Sequence, residues 1–161
     1  MADKRALLIG INAYSKLDAQ YQLAGCVNDV NTIANLLIDK FNFPDANIRR
    51  LLDEQATQHG IRTALADLIT ATEPDDIVVI HYSGHGNTRE YLDDQNPDLN
   101  EASGFNSTIM PSDSGRDPHP NLDIVDDEIG AWLKKLTDIT RYVTVIFDCC
   151  HSGTITRDVV N

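Results

Sequence analysis

The chain is poor in three things, and each shortage excludes a class of protein. Only 3 of its 161 residues are cysteine. An odd, low count argues against a disulfide framework and for a reducing, cytoplasmic setting. No apolar run approaches the ~20 residues that would span a bilayer. The N-terminal stretch MADKRALLIGINAY has neither the long apolar segment nor the small-residue cleavage site of a signal peptide. Basic residues are outnumbered, 13 Lys and Arg against 25 Asp and Glu, for a net charge of −12. Such a field repels nucleic acid and anionic membranes and favours cationic ligands. Internal repeats, heptads and low-complexity tracts are also absent.

What is present reads as one domain, residues 1–161, with alternating strand and helix signals. Arg5–Ile11 is a short apolar run ending at turn-like Asn12. Val27, Val30, Ile33, Ala34 and Leu37 recur at helical spacing over residues 26–40. Ile48–Leu52 forms a second strand. Thr57 caps a helix running to about Ala71, with Ile61, Leu65, Leu68 and Ile69 on one face. Ile77–Tyr82 is a third strand, apolar enough to be buried on both faces. Residues 87–106 are polar, acidic and without regular pattern, a long loop of the kind that is usually functional or mobile. Thr108–Met110 is a short strand. A helix starts near Asp126, with Ile129, Trp132, Leu133 and Leu136 facing inward, and Tyr142–Phe147 is the last strand. This order predicts an α/β fold, a mostly parallel sheet with helices on both faces.

In such sheets ligands bind at the carboxyl ends of the strands. Three polar clusters fall there: Gly25-Cys26-Val27-Asn28-Asp29, Ser83-Gly84-His85-Gly86 and Asp148-Cys149-Cys150-His151-Ser152-Gly153. A cysteine is a nucleophile as thiolate, and a histidine within reach can take its proton and later return it to a leaving amine. His85 and Cys150 are far apart in sequence, as suits a dyad assembled in space. The amides of Gly86 and Cys150 are candidate oxyanion donors. Alternation along an extended segment turns Cys149 and His151 away from Cys150 and leaves Asp148 on its side. Adjacent Cys-Cys-His lacks the ligand spacing of a zinc site. The acidic loop fails as an EF-hand: counting from Asp94, Leu99 stands where Gly is needed and Phe105 where Glu is needed.

The SGHG and DCCHSG clusters, each following an apolar strand, resemble the two catalytic motifs of caspase-like cysteine peptidases. The nearer likeness is to metacaspases and their bacterial relatives, the orthocaspases. ALLIGINAY, LAGCVNDV and IMPSDSGRD…IVDDEIGAWLKKL are similar to that family as well. The resemblance implies a caspase-like three-layer sandwich and a cysteine endopeptidase that cleaves after Arg or Lys. Its general base would be His85, its nucleophile Cys150, and its oxyanion donors Gly86 and Cys150. An acidic pocket for the basic side chain would be formed by Asp29 and Asp148, lined by Cys26 and Ser83. Two carboxylates there can make charge-assisted hydrogen bonds to a guanidinium.

No cofactor is needed for this chemistry. The family likeness implies Ca²⁺ as an activator held by Asp126 and Asp127, but Asn106 stands where an Asp is expected and brings no charge. Asp126 reads rather as a helix N-cap. By the same resemblance, the chain looks like the large-subunit region alone. The expected partners are therefore basic peptide or protein substrates and a small-subunit region from the same precursor or another chain. Arg157 is a candidate self-cleavage position. The other reading is a catalytically incomplete module acting as a regulatory or interaction domain, whose open sheet edge would pair with a partner.

Overall fold

The computed structural model describes residues 2–90 and 105–151, with the backbone alone at 89, 90, 105, 106, 150 and 151. Among these residues six strands form one sheet. They are β1 (Lys4–Gly10), β2 (Ile48–Leu52), β3 (Ile77–Glu90), β4 (Phe105–Ile109), β5 (Ile124–Val125) and β6 (Tyr142–His151). Three helices connect them: α1 (Cys26–Phe41), α2 (Gln58–Ala71) and α3 (Asp126–Ile139). β1 lies between β2 and β3, and β6 flanks β3 on its other edge, all in parallel. β4 pairs antiparallel with the far end of β3, and β5 antiparallel with β4. The mostly parallel sheet expected from the β-α alternation is therefore present, with a short antiparallel extension.

Each helix covers the sheet with the apolar stripe its sequence spacing creates. On one face Val30, Ala34 and Leu37 of α1 pack with Ala6, Leu8, Ile48 and Val79. On the other, Ile61, Ala64, Leu65 and Leu68 of α2 and Leu136 of α3 pack with Leu7, Ile9, Val78, Ile80 and Tyr82. Successive strand residues point to opposite faces, so neighbours such as Val78 and Val79 enter different cores. The result is three layers. Thr57 caps α2 as expected, its Oγ1 accepting from the Gly60 amide at 3.0 Å. Among the described residues no helix is long and apolar enough to cross a membrane.

Two boundaries differ from expectation, for one reason. β3 continues to Glu90 and β6 to His151, into the polar clusters expected beyond the strand ends. Gly, Ser and Asn disfavour strands in isolation, but a ladder with neighbouring strands overrides local preference. The expected loop over 87–106 is accordingly corrected at its ends: residues 87–90 belong to β3 and residues 105–106 to β4, paired Asn87 with Thr108 through Glu90 with Phe105. The rest of that loop lies outside the described residues. Cys150 likewise lies within β6, beyond the Phe147 end expected for the last strand.

Candidate active site

The register aligns the three expected clusters in rows across the sheet. Gly10, Ser83 and Asp148 are partners across β1, β3 and β6, and the rows beyond Ser83 and Asp148 pair Gly84 with Cys149 and His85 with Cys150. Adjacent strands are about 4.8 Å apart, so His85 and Cys150 are neighbours although they are remote in the chain.

The first turn of α1 is brought to this row by Gly10. A Cβ at that position would stand 2.6 Å from the carbonyl oxygen of Cys26 and from Cγ2 of Val30, so only glycine admits the helix so closely. The helix has Gly25 as its N-cap and no side-chain cap of its own. Asn12, just beyond β1, supplies one from a distance, its Oδ1 accepting from the amide of Cys26 at 2.8 Å. The amide of Val27 also reaches Asn12 Oδ1, at 3.4 Å. Both belong to the first-turn donors that have no partner within the helix.

The four expected pocket residues lie around this row. Ser83, buried, donates its hydroxyl proton to Oδ2 of Asp29 at 2.9 Å. Asp148 is the strand partner of Ser83 and is exposed. Cys26 opens α1 and is buried. Close to the carboxylates lies His81, only 2% exposed. Burial lowers its pKa from the ordinary value, and the charges of Asp29 and Asp148 pull it back upward. Sequence reasoning took His81 for part of an apolar strand.

His85 is 5% exposed. Its Nε2 lies 2.6 Å from the carbonyl oxygen of Tyr21, in a short 3₁₀ turn over Ala19–Tyr21. A carbonyl only accepts, so Nε2 carries the proton and Nδ1 keeps its lone pair in the neutral ring. Among the described residues Nδ1 has no hydrogen-bond partner. A buried basic nitrogen held in one tautomer is what a general base requires. No sequence pattern marks the Tyr21 carbonyl, because every residue carries one.

Cys149 packs against the core formed with α2 and α3, and a Cβ on Gly86 would stand 3.0 Å from its Cβ. Gly86 and Cys150 lie within the β3–β6 ladder.

At the candidate calcium position, Asp126 is the first residue of α3 and not its N-cap, which is Val125. Its Oδ2 accepts from the Ser107 amide and its Oδ1 from the Asp127 amide, each at 3.0 Å. Both oxygens thus serve the backbone. Among the described residues no group of three or more His, Cys, Asp or Glu could hold a metal ion. Arg157 lies outside the described residues.

The chain is similar to known proteins over nearly its whole length. The model of the metacaspase peptidase C14 domain matches residues 4–158. The chain is 34% identical to Metacaspase-2 of Arabidopsis thaliana over 158 residues, covering 94% of this chain and 35% of that protein. It is 38% identical to Metacaspase-4 of the same plant over 155 residues, covering 93% and 34%. A crystal structure of a Geobacter sulfurreducens protein superposes with a TM-score of 0.67 at 26% identity, covering 98% of this chain and 54% of that one. The chain spans about a third of the length of the curated relatives it matches. The fold, the adjoining strand-end clusters and a family match over nearly the whole length lead to one conclusion: the chain belongs to the metacaspase family, through its caspase-like peptidase C14 domain.

Proposed function

We propose that this domain is the catalytic part of a cysteine endopeptidase that cuts after Arg or Lys, with Cys150 as nucleophile and His85 as base. The observation that carries the reading is the pairing of His85 with Cys150 across β3 and β6, with His85 held in one tautomer by the Tyr21 carbonyl. In the first half-reaction the Cys150 thiol gives its proton to Nδ1 of His85. Its sulfur attacks the scissile carbonyl carbon, and the carbonyl electron pair moves to oxygen. The amides of Gly86 and Cys150 are assigned to that oxyanion. Collapse breaks the C–N bond, and the imidazolium returns the proton to the departing amine. Water then attacks the thioester, losing a proton to His85, and the thiolate leaves and is reprotonated. Asp29 and Asp148, with Ser83 and Cys26 beside them, would receive the cationic side chain. The net charge of −12 steers such a substrate inward. Arg157–Asp158 is then a candidate bond for self-processing.

The test is turnover of fluorogenic peptides differing only at P1, Arg against Asp, with and without Ca²⁺, on this chain and on Cys150→Ala. Cleavage after Arg that disappears in the variant is expected. Full activity in Cys150→Ala would sink the assignment.

A second reading has its own observation. Among the described residues β6 pairs with β3 alone, and Tyr142, Ile146 and Phe147 on it are exposed, with Ile77 of β3 nearby. Such an edge favours addition of further strands. A small-subunit region from the same precursor or from another chain is the proposed occupant. Should neither peptide turn over, the domain would be a binding module completed by that partner.

A further inference from the structure

We infer that Tyr14 is a positioning residue for His85, acting with Tyr82 as a two-hydroxyl clamp on the peptide groups that flank the imidazole. The inference rests on the Cys150–His85 reading.

The need for a clamp comes from the sheet itself. On one edge of β3 the ladder with β1 ends at Ser83, and the ladder with β4 begins at Gly86. Gly84 and His85 fall in the gap between the two partner strands. A buried amide in such a gap needs another acceptor. The His85 N–H finds one in the Tyr14 hydroxyl at 2.7 Å. On the other side of the residue, the His85 carbonyl accepts from the Tyr82 hydroxyl at 2.7 Å and from the Met110 amide at 3.0 Å. The two tyrosine hydroxyls converge beside Gly84.

Tyr14 also touches the imidazole. The two ring centroids are 4.7 Å apart, with planes inclined at 42°. Tyr14 is 1% exposed and Tyr82 is fully buried. Burial raises both phenol pKa values, which keeps the hydroxyls neutral and available as hydrogen-bonding groups.

The clamp explains a glycine of the catalytic cluster. A Cβ at Gly84 would lie 2.7 Å from the Tyr82 hydroxyl oxygen and 2.8 Å from that of Tyr14. Gly84 is therefore the residue that lets both hydroxyls reach the backbone beside His85. The imidazole is then fixed at three points: its Nε2 by the Tyr21 carbonyl, its face by the Tyr14 ring, and its peptide groups by the two hydroxyls. A shift of about 1 Å at a catalytic group can cost on the order of a hundredfold in rate.

The experiment reads the Cys150 thiolate directly and needs no peptide turnover. The full chain is treated with iodoacetamide from pH 5 to pH 9, and alkylation of the Cys150 peptide is followed by mass spectrometry. In the wild-type chain His85 should stabilise the thiolate, so alkylation rises below the ordinary thiol value of about 8.5. His85→Ala should move the rise up to that value. Tyr14→Phe keeps the ring and removes the acceptor, and its profile should fall between the two. At pH 6.5 its rate should be about tenfold below wild type. A Tyr14→Phe profile superimposed on wild type, with His85→Ala displaced, overturns the clamp. A His85→Ala profile superimposed on wild type overturns the dyad on which the clamp rests. If Tyr14→Phe does not fold, by circular dichroism, Tyr82→Phe takes its place with the same two outcomes.

Discussion

Ser83, where the β1 ladder along β3 ends, donates a hydrogen bond to Asp29 in the first turn of α1, at 2.9 Å. The bond joins two elements distant in sequence and engages one oxygen of the carboxylate, Oδ2. Asp148, the strand partner of Ser83, brings a second carboxylate to the same row.

If this pair receives an Arg or Lys side chain, removing its charge must weaken substrate binding without touching the chemistry. Asp29→Asn is expected to reduce kcat/KM for P1-Arg peptides by about ten- to a hundredfold, the size of a lost charge-assisted hydrogen bond. Cys150 alkylation should stay as in wild type. Equal kcat/KM in the two proteins would remove Asp29 from the pocket.

His81 links the pocket to pH. Burial lowers its pKa below the ordinary 6.5, while Asp29 from α1 and Asp148 from β6 act against that. The folded protein thus binds fewer protons here than the unfolded chain. Its stabilising effect is complete above about pH 6.5 and is lost as the pH falls below that value. His81→Leu, which places an apolar side chain between Leu8 and Ile146, should flatten the fall of the unfolding midpoint between about pH 7 and pH 5. Parallel pH curves for the two proteins would show that His81 does not set it.

Asp76 shows the opposite sign at the other end of β3. Burial alone would raise its pKa, but the amides of Glu73 and Asp3 and the Arg5 guanidinium overcome it and lower the value. Its contribution to stability is present above the unfolded carboxyl value of about 4 and is lost as the pH falls through the depressed folded value. Asp76→Asn should cost about 1–3 kcal/mol at neutral pH in urea unfolding. The difference should shrink below about pH 4. A difference that does not change with pH would mean the charge of Asp76 plays no part.

The amino-acid sequence by itself determined the layers. Apolar runs of strand length and helical spacing of Val30, Ala34 and Leu37, or Ile61, Leu65 and Leu68, are local signals, and burial follows them directly. It also determined which residue types could do chemistry, and alternation within DCCHSG already separated Cys149 from Cys150. Tertiary structure decided what depends on partners distant in the chain. Strand length was one such matter, because the apolar runs end at Tyr82 and Phe147 and only the ladder between β3 and β6 carries the strands on to Gly86 and His151. The tautomer of His85 was another, since it depends on a carbonyl at Tyr21 that no side-chain pattern announces. The grip of Tyr14 and Tyr82 was the third. Both residues look like core aromatics in sequence, and only the gap between β1 and β4 gives their hydroxyls a task. Hydrophobic burial is written locally and can be read locally, whereas a hydrogen bond between remote residues exists only once the fold has brought donor and acceptor together.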